Sequence, residues 1–302
     1  MLHLKYRPSD FSEVIGNEGT VASLKAILAR PTKDRPRAFL FSGPSGCGKT
    51  TLARLLAESV GCSARDFQEV DSAQYRGIDG VRDMRQIMKL APMNGKVRAF
   101  LLDEVHQLSK DAQSGLLKSL EDTPEHVIMI LATTDPDKLL PTIRNRCHSF
   151  TVQALTEKQL IGLMTSVLKA EKGEMSQKVL QQIATDAMGS ARASLVMLDK
   201  VRGLDEKTAL TLAKAEAIRQ NETIELCRML MKKGTTWKDV AAWLKATQQD
   251  PEQIRRMVLG YCSVALLSDT PQAWVVLDAF RSPYYDNGKA GLIMSCYEVL
   301  KG

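Results

Sequence analysis

Short apolar runs alternate with longer amphipathic stretches through the first half of the chain. The runs 38–41, 97–102 and 127–131 are largely apolar, and each leads into turn residues and then a helical pattern. Runs of this length suit strands buried on both faces of a parallel sheet. Between them Leu52, Leu55, Leu56 and Val60 recur at helical spacing, as do Ala112, Leu116, Leu117 and Leu120. Such stripes belong to helices laid on a sheet, and the alternation predicts an α/β domain.

After about Phe150 the strand pattern stops. Residues 157–170, 176–187, 191–201, 207–214 and 218–302 read as helices with Gly or Pro punctuation. Boundaries near 151 and 206 divide the chain into an α/β domain (1–150), a small helical domain (151–205) and a second helical domain (206–302). Trp237, Trp243 and Trp274 all fall in the last of these and are expected in its core.

Composition changes this picture little. The 302 residues carry 41 Lys and Arg against 35 Asp and Glu, a net +6. The surplus is +3 in each half, so no basic tail or one-sided charge marks a nucleic-acid partner. No apolar run approaches the ~20 residues of a spanning helix, and the first five residues are no secretory signal. A cytoplasmic chain with no membrane partner is expected. The six cysteines lie at least fifteen residues apart, which indicates neither a zinc module nor a disulfide framework.

Local motifs say more. Gly43, Pro44, Ser45, Gly46, Cys47, Gly48, Lys49 and Thr50 match G-x-x-x-x-G-K-[ST] without exception, after one apolar run and before a helical stripe opening at Thr51. That setting turns backbone N–H groups and the positive end of a helix toward an anion. Lys49 would pair with the β- and γ-phosphates, and the Thr50 hydroxyl would ligate Mg²⁺. At the end of a later run, Asp103 suits a ligand of the Mg²⁺ shell, direct or through water, and Glu104 a general base toward the attacking water. Thr134, at the tip of a third strand, could touch the γ-phosphate or that water.

Taken in order, these residues resemble the AAA+ ATPase subunits of sliding-clamp loaders over about 200 of the 302 residues. Tyr6, Arg7 and Pro8, followed by Ile15 and Gly16, resemble that family's adenine-contacting segment. Asp103-Glu104-Val105-His106 resembles its acidic box, and the stretch from Leu131 to Pro136 its first sensor strand. Arg146 stands in Ile143-Arg-Asn-Arg-Cys147, where the family has Ser-Arg-Cys, and Arg192 opens a segment similar to its second sensor helix.

The resemblance implies an AAA+ RecA-like parallel sheet, a helical lid and an all-helical collar that oligomerises. It implies ATP and Mg²⁺ between subunits of a homo- or hetero-oligomeric, pentameric spiral, with Arg146 as an arginine finger reaching a neighbour and Arg192 on the γ-phosphate of its own chain. Asn145, where the family has serine, puts the finger's fine geometry in question. The partners implied are other loader subunits, a sliding clamp and primer–template DNA. Arg76, Arg82, Arg85 and Lys110 are the candidates for the DNA backbone, with a solvated helix face as the bland alternative. Met88, Leu90 and Met93 are the candidates for the clamp, with burial in the core equally open. The bacterial polymerase III gamma/tau subunit carries a four-cysteine zinc module that has no counterpart here, so no zinc is expected. The compartment implied is the cytoplasm of a bacterium or phage-infected host, or a eukaryotic nucleus. A DNA-remodelling motor of the Holliday-junction type and a non-hydrolysing structural subunit remain as rivals.

Overall fold

The computed structural model describes the chain except residues 73–76, 221, 233, 268–269, 285 and 302, and except the side chains of residues 71 and 218–220. The described residues form two compact units, one of Leu4–Leu155 and one of Met1–His3 with Thr156–Gly302.

The first unit contains β1 (Ala38–Ser42), β2 (Cys62–Asp71), β3 (Val97–Asp103), β4 (Val127–Thr133) and β5 (His148–Thr151). All pair parallel, in the order β2-β3-β4-β1-β5. Its helices are α2 (Glu18–Leu28), α3 (Lys49–Ser59), α4 (Ile78–Met88), α5 (Lys110–Glu121) and the short α6 (Pro141–Arg144), after an opening turn α1 (Leu2–Lys5). Successive side chains of β1, β3 and β4 alternate between two cores. Phe39, Phe41, Leu101 and Ile130 join Leu52 and Leu56 of α3 on one face. Leu40, Phe100, Leu102, Met129 and Leu131 join Met84 of α4 and Leu116 of α5 on the other. Each fully buried Leu, Phe or Ile contributes about 1.5–3 kcal/mol, and the need to bury both faces accounts for the continuous apolar runs.

The apolar pattern did not predict β2 and β5, the two edge strands. β5 is exposed at His148, Ser149 and Thr151 and buries Phe150 alone, which rings with Phe39 and Phe41 at 6.4 and 5.6 Å.

The second unit consists of α7 (Glu157–Ala170), α8 (Gln177–Asp186), α9 (Ala191–Val201), α10 (Glu206–Gln220), α11 (Glu222–Met231), α12 (Trp237–Ala246), α13 (Pro251–Leu267), α14 (Gln272–Ala279) and α15 (Gly288–Lys301). Reciprocal capping boxes start α7, between Thr156 and Gln159, and α12, between Thr236 and Asp239. Ser176 and Ser190 cap α8 and α9. Such caps satisfy N–H groups that a helix cannot satisfy itself.

Polar bonds cross the sequence position near 206. Lys200 of α9 bonds Glu216 of α10 at 2.6 Å. Asp186 of α8, fully buried, accepts from Arg228 of α11 at 2.6 Å and lies 3.4 Å from the Tyr261 hydroxyl of α13. The tryptophans are not the core expected from sequence. Trp274 is 62% exposed, and Trp237, also exposed, stands edge-on to Tyr297 of α15 at 5.0 Å. The core holds smaller apolar residues such as Leu226, Val258 and Cys262 together with Phe280.

In α13, Arg255 clamps Glu252 through two bonds of 2.7 and 2.8 Å, and the Tyr284 backbone N–H adds a third at 2.9 Å. The Arg255 hydrogen bonds hold the Glu252 carboxyl at about 2, below its ordinary 4.5. The folded state thus binds the proton less tightly than the unfolded chain, and the stability from this clamp is complete above pH ~4.5 and lost as the pH falls toward 2. Melting curves of wild type and Glu252→Gln should therefore differ at pH 6 and converge across that window.

Candidate active site

A parallel sheet directs the loops after its strands to one edge. With β4 between β1 and β3, that edge brings together the phosphate loop after β1, the acids ending β3 and the threonines ending β4.

Gly43, Gly46 and Gly48 take φ of 150°, 73° and 106°, which side chains adopt only with strain. A Cβ on Gly43 would also stand 2.0 Å from the Val152 carbonyl oxygen. Gly48 begins α3 without a side-chain cap, the arrangement in which the opening turn of a helix can face an anion. The Cys47 side chain turns into the sheet core, and burial pushes its thiol pKa up; its backbone alone remains for a phosphate. Pro44 and Ser45 are exposed and Thr51 is half-buried. The Lys49 amine is buried and donates to the carbonyls of Gly43 and Pro44 at 2.8 and 2.9 Å.

Thr50 Oγ1 donates to Asp103 Oδ2 at 3.0 Å. A hydroxyl and a carboxylate set side by side at the start of a phosphate-binding helix form a hard-oxygen pair that fits Mg²⁺. The Asp103 Oδ1 accepts the Glu104 N–H at 2.9 Å, and Glu104 sits in the left-handed region at φ 49°. Its Oε2 accepts from Thr134 Oγ1 at 3.0 Å. Two residues near this acid entered the sequence reading only as members of motifs, with no role of their own. Thr133 is fully buried and its hydroxyl lies 2.9 Å from His106 Nδ1, while its carbonyl accepts the Gly43 N–H at 3.1 Å. His106 appeared in the sequence only as part of the acidic box; pairing it with Thr133 requires knowing that β3 and β4 are neighbours.

Other candidates lie elsewhere. Tyr6, Arg7, Pro8 and Ile15 are half-buried and Gly16 is buried with φ 68°. The adjacent Asn17, at φ 57°, exchanges two hydrogen bonds with the Gln153 backbone at 2.7 and 3.2 Å, and so ties this segment to the chain beyond β5. Arg146 bonds Glu121 at 2.7 Å and the Thr142 carbonyl at 3.1 Å. Arg192 is exposed in the first turn of α9, in the second unit.

On α4, Val81, Met84 and Met88 face the core, while Arg82 is exposed and pairs with Asp79 at 2.9 Å. Arg85 is half-buried and Lys110 exposed. Arg76 lies outside the described residues. Met88 takes the core alternative and not the clamp contact: it is 4% exposed, in the sheet core. Its i, i+3, i+7 spacing from Val81 and Met84 carried that signal.

Leu90 and Met93, 58% and 71% exposed, sit on a turn anchored from beneath. The buried Asp66 accepts from Ser63 at 2.6 Å and from the N–H groups of Asn94 and Gly95 at 3.0 and 2.7 Å. These bonds, the Ser63 hydroxyl foremost, hold its carboxyl well below the usual range. Arg98 bonds the Ala91 carbonyl at 2.9 Å, and His126 the Met88 carbonyl at 3.0 Å. Among the described residues no group of three His, Cys, Asp or Glu could hold a metal ion, and no helix is long and apolar enough to cross a membrane.

This arrangement is that of a P-loop nucleotide site, and residues 39–155 match the model of the ATPase family associated with various cellular activities (AAA). Residues 39–155 are thus an AAA ATPase domain. The chain is similar to DNA polymerase III subunit tau of Bacillus subtilis (strain 168), 36% identical over 220 residues, which cover 66% of this chain and 39% of that protein. Subunit tau of Escherichia coli (strain K12) is 35% identical over 221 residues, 66% of this chain and 34% of that one. The chain thus spans well under half the length of these relatives. Among solved structures, the Holliday junction branch migration motor RuvB of Thermotoga maritima superposes with a TM-score of 0.59 at 18% identity, covering 84% of this chain and 85% of that one. At that identity the likeness is one of fold.

The Gly43 contact gives a direct test. Gly43→Ala must displace backbone and should destabilise the protein by about 1–3 kcal/mol. Denaturant unfolding would measure the loss, and a fluorescent ATP analogue should bind the refolded variant more weakly than wild type.

Proposed function

We propose that the chain is an ATPase subunit of a DNA polymerase sliding-clamp loader, which binds and hydrolyses ATP between subunits to open a ring clamp and load it on primer–template DNA. The observation that carries this reading is the meeting of Lys49, Thr50, Asp103 and Glu104 at one sheet edge, in a chain similar to polymerase III subunit tau.

In this reading Lys49 leaves the carbonyls of Gly43 and Pro44 for the β- and γ-phosphate oxygens, and the N–H groups opening α3 cradle the phosphates. Thr50 and Asp103 would hold Mg²⁺, which supplies charge neutralisation for the phosphates. Glu104 accepts a proton from the water whose oxygen attacks the γ-phosphorus, and ADP departs with the electrons of the broken P–O bond. Thr134 steadies the Glu104 carboxylate. Tyr6, Arg7, Pro8, Ile15 and Gly16 lie against the adenine. Arg146, released from Glu121, reaches the nucleotide of a neighbouring subunit, and Arg192 senses the γ-phosphate from the lid, residues 151–205. The helices of 206–302 form the collar of a pentameric spiral. Arg76, Arg82, Arg85 and Lys110 give sequence-independent phosphate contacts to DNA, and Leu90 and Met93 meet the clamp.

Glu104→Gln tests the chemistry. It should bind ATP and clamp as wild type does while turnover in the assembled complex falls by about a hundredfold or more; clamp-stimulated turnover equal to wild type would sink the role of Glu104. The mass of the complex with and without a co-expressed clamp tests the assembly. Processive translocation on DNA without any clamp would instead mark a remodelling motor.

A further inference from the structure

The Glu104 carboxylate is held unevenly. Its Oε2 takes the Thr134 hydroxyl at 3.0 Å and the Thr134 N–H at 3.4 Å, and His106 Nδ1 stands 3.4 Å from the same oxygen. Among the described residues Oε1 has no hydrogen-bond partner. One oxygen is tethered and the other is left to accept a proton.

His106 is the less obvious tether, and its tautomer follows from its neighbours. The side chain is almost wholly buried, and burial pushes its pKa below the ordinary histidine value, so the ring is neutral at pH 7 with one donor and one acceptor nitrogen. The Gln107 side-chain Nε2 lies 3.0 Å from His106 Nε2. An amide N–H donates, so the ring Nε2 accepts and the ring proton sits on Nδ1. That N–H donates to Thr133 Oγ1 at 2.9 Å, and the ring so held stands with Nδ1 3.4 Å from Glu104 Oε2. Thr133 cannot shift to suit: it is fully buried, its Oγ1 also accepts the Asp135 N–H at 3.0 Å, and its carbonyl accepts the Gly43 N–H at 3.1 Å.

We propose that His106 is a positioning residue for ATP hydrolysis: its Nδ1–H is anchored on Thr133, and the ring so fixed stands against Oε2 of Glu104 and keeps Oε1 free toward the attacking water. The inference rests on the reading of Glu104 as general base. The same chain of bonds runs through Thr133 to Gly43, so the base and the first turn of the phosphate loop share one fixed point. A carboxylate held by Thr134 alone would spend less time in the productive orientation, which lowers turnover without touching the phosphate contacts.

Three variants of the full chain, in the assembled complex, test this by single-turnover hydrolysis, ATP affinity and melting temperature. His106→Phe keeps the ring's volume but has no N–H, and hydrolysis should slow by about ten- to a hundredfold with ATP affinity within about twofold of wild type. His106→Asn places an amide N–H near the Nδ1 position and should recover most of the rate. In a Glu104→Gln background, His106→Phe should cost nothing further, since the two act as a unit. His106→Phe turning over at the wild-type rate would overturn the proposal, as would an Asn variant as slow as the Phe variant, or effects that add in the double variant. If Glu104→Gln itself turns over normally, it is the general-base reading that fails, a distinct outcome.

Discussion

A parallel sheet buried on both faces can meet polar ligands only at the ends of its strands. That constraint organises the first unit. Both faces of β1, β3 and β4 are sealed by apolar side chains, and every crossover returns the chain to the same edge. The acids, hydroxyls and glycines that chemistry needs are concentrated there because the sheet faces leave them no other place. The order β2-β3-β4-β1-β5 then decides which of them meet. Because β4 lies between β1 and β3, Thr133 can hold the phosphate loop through its carbonyl and His106 through its hydroxyl.

Among the described residues of both units, buried charge is paired. Lys49 lies on two carbonyls, Asp66 on backbone N–H groups and a serine, and Asp186 on Arg228. Each arrangement answers the large cost of an unpaired charge away from water. Asp66 and Asp186 are structural and Lys49 belongs to the site, so burial alone does not separate the two kinds. What distinguishes Lys49 is that its partners are the carbonyls of the loop that would hold the ligand.

Much of this was legible in the sequence, for identifiable reasons. β1, β3 and β4 could be read because burial on both faces makes them nearly continuous in apolar residues. β2 and β5 were missed because edge strands carry polar residues such as Asp66, His148 and Ser149, and their apolar side is short. The phosphate loop was legible because its backbone geometry demands glycine at fixed offsets. The His106–Thr133 pair was not, since no local rule relates a residue after one strand to the end of another. The tryptophans misled because aromatic size was taken for burial, whereas the helical core is filled by residues such as Leu226 and Val258. Met88 was readable from its helical period, but the resemblance grouped it with the exposed Leu90 and Met93 as a clamp contact.

Glu104 occupies a backbone conformation that costs a branched or long side chain about 1–2 kcal/mol and costs glycine almost nothing. Fold stability and chemistry therefore pull in opposite directions at this position. Selection for thermal resistance alone would drift it toward glycine or asparagine and leave a sturdier protein with no carboxylate beside Asp103 and Thr134. A glutamate held there against its own backbone preference marks an acid retained for something other than folding.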